Sequence, residues 1–142
     1  EKLLTIVCSD ISMVDKFARI DNAQFKTLKR NTPGAFTFIL EPSNKVPDKA
    51  LSGRKTVGVR IPDNQIPLAL VERLGFPLAT ASVKDDDEVV EYTTDPELIA
   101  ERYDQEVDLV IDGGYGLLVP TTLVDLTGDE PEIVREGGGE LV

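Results

Sequence analysis

The run TVGVRIPDN, residues 56–64, constrains the fold more than any other stretch of the chain. Val57, Val59 and Ile61 alternate with Gly58 and Arg60. Side chains of a β-strand point to opposite faces in turn, so one face of this strand is apolar and the other carries an arginine. Pro62 and Asp63-Asn64 end the strand. The apolar face must be buried in a core, while Arg60 faces the polar side.

The rest of the chain supplies that core in short alternating pieces. LLTIVCSD predicts a buried strand over 3–8, with Ser9 or Asp10 capping a helix. Ile11, Val14, Phe17 and Ala18 have the spacing of one helical face. Asp21-Asn22 opens a second short helix with Phe25 and Leu28 three apart, and Pro33-Gly34 stops it. AFTFIL is a strand over 35–40, and residues 47–51 allow one helical turn. QIPLALVERLG is an amphipathic helix closed by Gly75 at C′, followed by a strand in FPLATAS. VKDDDEVVEYTTD reads as an exposed acidic loop or short hairpin. Asp95-Pro96-Glu97 has the N-cap, N1 and first-turn residues of a helix. VDLVIDGGYG predicts a strand running into a glycine turn, and TTLVDLTG and EIVREGG the last two strands. The order gives an α+β fold, a mixed twisted open sheet flanked by helices, in a single domain over residues 1–142.

Composition narrows the function. The chain has 142 residues, one cysteine and no histidine, so an internal disulfide and His-based metal sites or triads are excluded within these residues. Cys8, inside an apolar run, reads as a small core residue. No apolar run reaches the roughly 18 residues of a membrane helix, and LLTIVC is too short for a secretory signal. The expectation is a cytoplasmic protein without a membrane partner. A net charge of −11 argues against non-specific nucleic-acid binding by the chain as a whole. It predicts an acidic surface with the basic residues gathered on one face. Because the chain starts at Glu1 almost directly in a strand, a natural N-terminal portion is expected to precede it.

Few residues are suited to chemistry. The acids Asp85 to Glu88 lack the alternate spacing of a calcium loop, and a solvated loop is the simpler reading. GGYG leads to more strand rather than to a helix, so a turn is favoured over a phosphate cradle. Arginine suits a bidentate grip on phosphate or carboxylate, which makes Arg60 and Arg135 candidates. Ser82, Thr121 and Thr122 are small hydroxyls at strand ends, where they can bond a nucleotide or simply the backbone. Lys29-Arg30, at the end of a helix before Pro33-Gly34, are either solvated cations on the favourable end of the helix dipole or the rim of an anion site.

Taken in order, KRNTPGAFTFIL, VGVRIPDN, LGFPLATAS, PTTLVDLTG and EIVREG resemble the YrdC family of threonylcarbamoyl-AMP synthases, nearest its YciO-like branch. The resemblance runs from about residue 3 to 138. It implies a mixed sheet around a positively charged cavity. It also implies a reaction joining L-threonine, bicarbonate and ATP, as its Mg2+ complex, into threonylcarbamoyl-adenylate and pyrophosphate for tRNA modification. Carried over residue by residue, it places Thr37, Arg60, Ser82, Thr121, Thr122 and Arg135 at the nucleotide or substrate, with no protein-held metal and no catalytic residue named. Lys29, Arg30 and Lys84 become candidate contacts to phosphate or RNA, tRNA or double-stranded. Ala35 replaces a family proline, and Ser82-Val83-Lys84 lacks the asparagine of the family's Ser-x-Asn. The family's Lys-x-Arg-Pro segment has no counterpart in these residues. A synthase, a divergent nucleotide- or RNA-binding relative, and a hydrolase of threonylcarbamoyl groups are the three readings this leaves.

Overall fold

A computed structural model describes residues 3–83 and 94–142. The described chain divides into two compact units: residues 1–80 with 121–142, and residues 81–120.

The first unit is built on a mixed open sheet. Its strands are β1 (Thr5–Val7), β2 (Ala18–Arg19), β3 (Phe36–Pro42), β4 (Val57–Arg60), β5 (Leu78–Thr80), β6 (Thr122–Asp125) and β7 (Glu132–Arg135). They lie in the order β5-β1-β4-β3-β6-β7, with β2 added to β3. The β1–β4 and β3–β6 pairs are parallel and the other pairs antiparallel.

Alternation along each strand sorts the sheet into two faces. Ile6, Cys8, Phe36, Phe38, Leu40, Val57, Val59, Ile61, Val124 and Leu126 form one buried cluster with Val14, Ala18 and Leu28. Val14 comes from helix α1 (Ile11–Phe17) and Leu28 from helix α2 (Asn22–Asn31), so these helices cover that face. Asp10, not Ser9, caps α1: its carboxylate accepts from the Met13 N–H at 2.8 Å. Asp21 and Gln24 form a reciprocal capping box at the start of α2, each hydrogen bond 2.8 Å long. Leu28 is fully buried while Phe25 is 41% exposed, so only one of the two expected apolar positions reaches the core.

α3 (Asp48–Leu51) is the single turn predicted there, and α4 (Gln65–Leu74) ends at Gly75. Gly75 adopts φ 77°, and its N–H reaches the Val71 carbonyl at 2.9 Å. Glycine reaches this left-handed conformation without steric cost.

Two local expectations change. The α1 helix stops at Phe17, and Ala18-Arg19 instead pair with Pro42 and Glu41, which also lengthens β3 beyond residue 40. The second unit contains α5 (Pro96–Tyr103), capped by the Asp95 carboxylate on the Glu97 N–H at 2.9 Å. No strand forms over 107–116, although VDLVID has the pattern of one. The stretch finds no partner strand among the described residues, and Leu109 remains 76% exposed. The acidic run 85–88 lies outside the described residues.

Candidate functional site

The face of the sheet away from the main core carries the polar side chains. In β4, Gly58 and Arg60 point to this face, as the alternation requires. The pairing Phe38 with Val59 sets Thr37 of β3 opposite Arg60 on the next rung. On the other side Arg60 is paired with Val7 of β1. Thr37 is also in register with Leu123 of β6, which brings Thr121, two residues earlier, to the same face.

The contacts follow from this register. The Thr37 and Thr121 hydroxyls lie 2.7 Å apart. Arg135, at the end of β7, donates to the Thr121 carbonyl from Nε at 3.2 Å and from Nη2 at 2.7 Å. Its Nη2 also donates to the Thr121 hydroxyl at 3.1 Å. The half-buried Arg60 is different. Its Nε is buried and has no hydrogen-bond acceptor among the described residues. Burial also pulls the Arg60 pKa below the usual arginine value, because the charged form loses solvation there.

Gly58 gives this face its close packing. A Cβ at that position would lie 2.7 Å from Leu3 Cδ2 and 3.1 Å from both Thr37 Cγ2 and Thr5 Oγ1. Thr5 and Gly58 are therefore residues of this face that sequence reasoning left without a role. A glycine in the middle of a branched strand is the signal that points to such close approach.

The other expected site residues are dispersed. Thr122 is fully buried. Its hydroxyl donates to the Gly139 carbonyl at 2.6 Å and accepts from the N–H groups of Gly137 and Gly139 at 3.1 and 3.0 Å. Lys29 and Arg30 are exposed in the last turn of α2, whose Leu28 packs on the opposite face of the sheet from Arg60. The basic residues of this unit are thus spread over both layers rather than gathered on one face, because the helix that carries Lys29-Arg30 is needed to cover the core. Ser82 is exposed in the second unit, and Lys84 lies outside the described residues. Among the described residues no group of three His, Cys, Asp or Glu side chains is placed to hold a metal ion.

What remains together is Thr37, Arg60, Thr121 and Arg135. Two of the four are cations, and the Arg60 Nε has no acceptor among the described residues, which suits a site for an anion.

Comparison with known proteins supplies the family. The Sua5, YciO and YrdC family profile, described as "Telomere recombination", matches residues 1–137. The chain belongs to this family. It is 45% identical to the uncharacterized protein YciO of Escherichia coli K12 over 139 residues, covering 96% of this chain and 66% of YciO. The crystal structure of E. coli YciO superposes with a TM-score of 0.87 at 44% identity, over 97% of this chain and 67% of that one. Threonylcarbamoyl-AMP synthase of Bacillus subtilis is 32% identical over 95% of this chain and 39% of its own length. P. abyssi Sua5 complexed with L-threonine superposes at a TM-score of 0.82 with 29% identity, over 96% of this chain and 40% of that one. The chain spans about two thirds of the length of the YciO relative. The mixed open sheet is thus a Sua5/YciO/YrdC sheet, and Arg60, Thr37, Thr121 and Arg135 are residues of a family domain.

Proposed function

We infer that this family member binds ATP and L-threonine on the Arg60 face and joins them with bicarbonate into threonylcarbamoyl-adenylate. The product would serve formation of threonylcarbamoyladenosine in tRNA, in the cytoplasm. The observation that carries this reading is the buried Arg60 Nε, which has no acceptor among the described residues. A buried donor without a partner is costly, and a phosphate or carboxylate oxygen would supply the missing acceptor.

In this reaction the threonine amine attacks the bicarbonate carbon, a C–O bond breaks and water leaves, giving a carbamate. A carbamate oxygen attacks the α-phosphorus of ATP, and pyrophosphate leaves with the electron pair of the broken P–O bond. Negative charge accumulates on the phosphoryl oxygens, where fixed donors lower the barrier. Arg60 and the Thr37–Thr121 pair are suited to that task, with Mg2+ arriving as part of the ATP complex. Ser82 remains a proposed nucleotide contact from the family pattern, and Lys29, Arg30 and Lys84 proposed contacts to RNA phosphates, whereas the Thr122 hydroxyl is taken up by Gly137 and Gly139. Similarity to the B. subtilis synthase and to the threonine-bound P. abyssi protein supports this assignment.

The test is pyrophosphate release by the purified full-length protein with ATP, bicarbonate and L-threonine. Release that depends on threonine is expected; ATP turnover indifferent to threonine, or none, removes the synthase reading.

A second reading rests on Ser82-Val83-Lys84, where the family asparagine is replaced by lysine, and on the 45% identity to YciO. It is a relative that binds nucleotide or RNA without making the adenylate. Salt-sensitive tRNA binding without pyrophosphate release would select it, and no tRNA binding at low salt would count against it.

A further inference from the structure

We propose that the outer surface of α1 and α2 binds an unpaired stretch of RNA, with one base in the cavity beside Phe25 and the phosphates on Lys26, Lys29 and Arg30. The proposal rests on the reading above only in taking RNA as the partner. It concerns the layer of the molecule opposite the Arg60 face, since Leu28 of α2 packs on the other side of the sheet.

Helix α2 has two unlike sides. Thr27, Leu28 and Asn31 are buried. Asn22, Phe25, Lys26, Lys29 and Arg30 are exposed and, at spacings of three and four residues, share the opposite side. None of the three cations has an ion-pair partner among the described residues, whereas Arg19 pairs with Glu41 at 3.5 Å. They belong to a wider asymmetry: eleven of the 15 lysines and arginines, but only six of the 26 acids, fall in residues 1–60. In a chain of net charge −11, such a local excess of positive charge is a foothold for a polyanion.

Cations alone would suit any polyanion, and Phe25 narrows the choice. It is 41% exposed, and it borders a cavity of about 330 Å³ between α1 and the start of α2. Ile11 and Ile20 add apolar wall to this cavity, and Ser12, Asp15 and Asn22 add polar groups. An aromatic ring beside cations is the arrangement on which a base stacks while its phosphates are neutralised. A membrane surface would use the cations and not the cavity, and a duplex keeps its bases inside. Asp15 then selects the base. Asp21 also lines the cavity, but its carboxylate accepts from the Gln24 N–H as the cap of α2. Asp15 has no hydrogen-bond partner among the described residues. A carboxylate only accepts, so it favours the exocyclic amine of cytosine over the carbonyl oxygen that uracil carries in the same place.

Fluorescence anisotropy of the full-length protein tests this, with labelled oligo-C and oligo-U RNA of about eight nucleotides, the footprint of a small single-strand site. No ATP, threonine or bicarbonate is present, so the outcome is independent of pyrophosphate release. Wild type is expected to bind oligo-C about tenfold more tightly than oligo-U. Its log affinity should fall against log salt with a slope of about −2, for three phosphates on a single strand. Phe25→Ala should weaken oligo-C about tenfold, the size of one stacking contact, at an unchanged slope. Changing Lys26, Lys29 and Arg30 together to Gln should flatten the slope. Asp15→Asn, on an exposed helix position, should remove the preference for cytosine even if Phe25→Ala does not fold. The absence of binding at low salt would overturn the proposal, as would equal affinity for oligo-C annealed to its complement. Unchanged binding in folded Phe25→Ala, an unchanged slope in the triple variant, or equal affinity of wild type for oligo-C and oligo-U would overturn it as well.

Discussion

Arg60 carries a cost that the described sheet around it does not offset. Its Nε is buried without an acceptor, and such a donor costs about 1–3 kcal/mol. Methionine keeps a long apolar stem and removes the charge. Arg60→Met should therefore raise the melting temperature by about 3 °C, for a change near 1 kcal/mol in a domain of this size. A lower melting temperature would make Arg60 a structural residue. Cys8 offers a separate residue-level test. Burial first, and the Asp10 carboxylate second, push its thiol from 9.0 up to about 12. The folded protein then holds the proton between about pH 9 and 12 where the unfolded chain releases it, so stability falls as pH rises through that window and is unaffected below it. Wild type should lose roughly 2 kcal/mol between pH 9 and 11 beyond any loss in Cys8→Ala, by denaturant unfolding. Parallel pH profiles would show that the thiol titrates normally. The polar placement of Arg60 was legible in the sequence because strand alternation is local. The packing of Thr122 was not: a threonine at a strand end looks the same whether it meets a ligand or, as here, the backbone of Gly137 and Gly139 fifteen or more residues away.

At the scale of elements, periodicity with capping chemistry located α1, α2, α4 and α5 and six of the seven strands among the described residues. Asp10, Asp21 and Asp95 cap their helices through their own carboxylates, which is why those starts were readable. β2 was missed because two residues carry no period, and it exists only through pairing with Pro42 and Glu41. The strand expected over 107–116 failed for the converse reason, since a good strand pattern does not supply a partner. The Thr122 side chain ties β6 to residues 137–139. Thr122→Val keeps the shape but leaves the Gly137 and Gly139 N–H groups without their acceptor. It should cost about 1–3 kcal/mol and lower the melting temperature by several degrees. An unchanged melting temperature, by calorimetry, would mean that the segment 137–139 is held by other contacts.

For the molecule as a whole, one sheet separates two tasks. α1, α2 and the alternate apolar positions of the strands make the core on one face, and the opposite face is left to Arg60 and the threonine pair. The overall acidity, a net charge of −11, then makes a half-buried arginine whose Nε has no acceptor among the described residues more informative than a surface lysine, because it is placed against solvation. The family resemblance ordered the motifs along the chain; only the strand register brought Thr37 opposite Arg60 and next to Thr121. The most direct measurement is the calorimetric affinity of the full-length protein for Mg-ATP, wild type against Arg60→Met. The account predicts that wild type binds and that the variant, folded and at least as stable, binds at least tenfold more weakly, the loss of one charge-assisted contact. Equal affinity in the two proteins would contradict it.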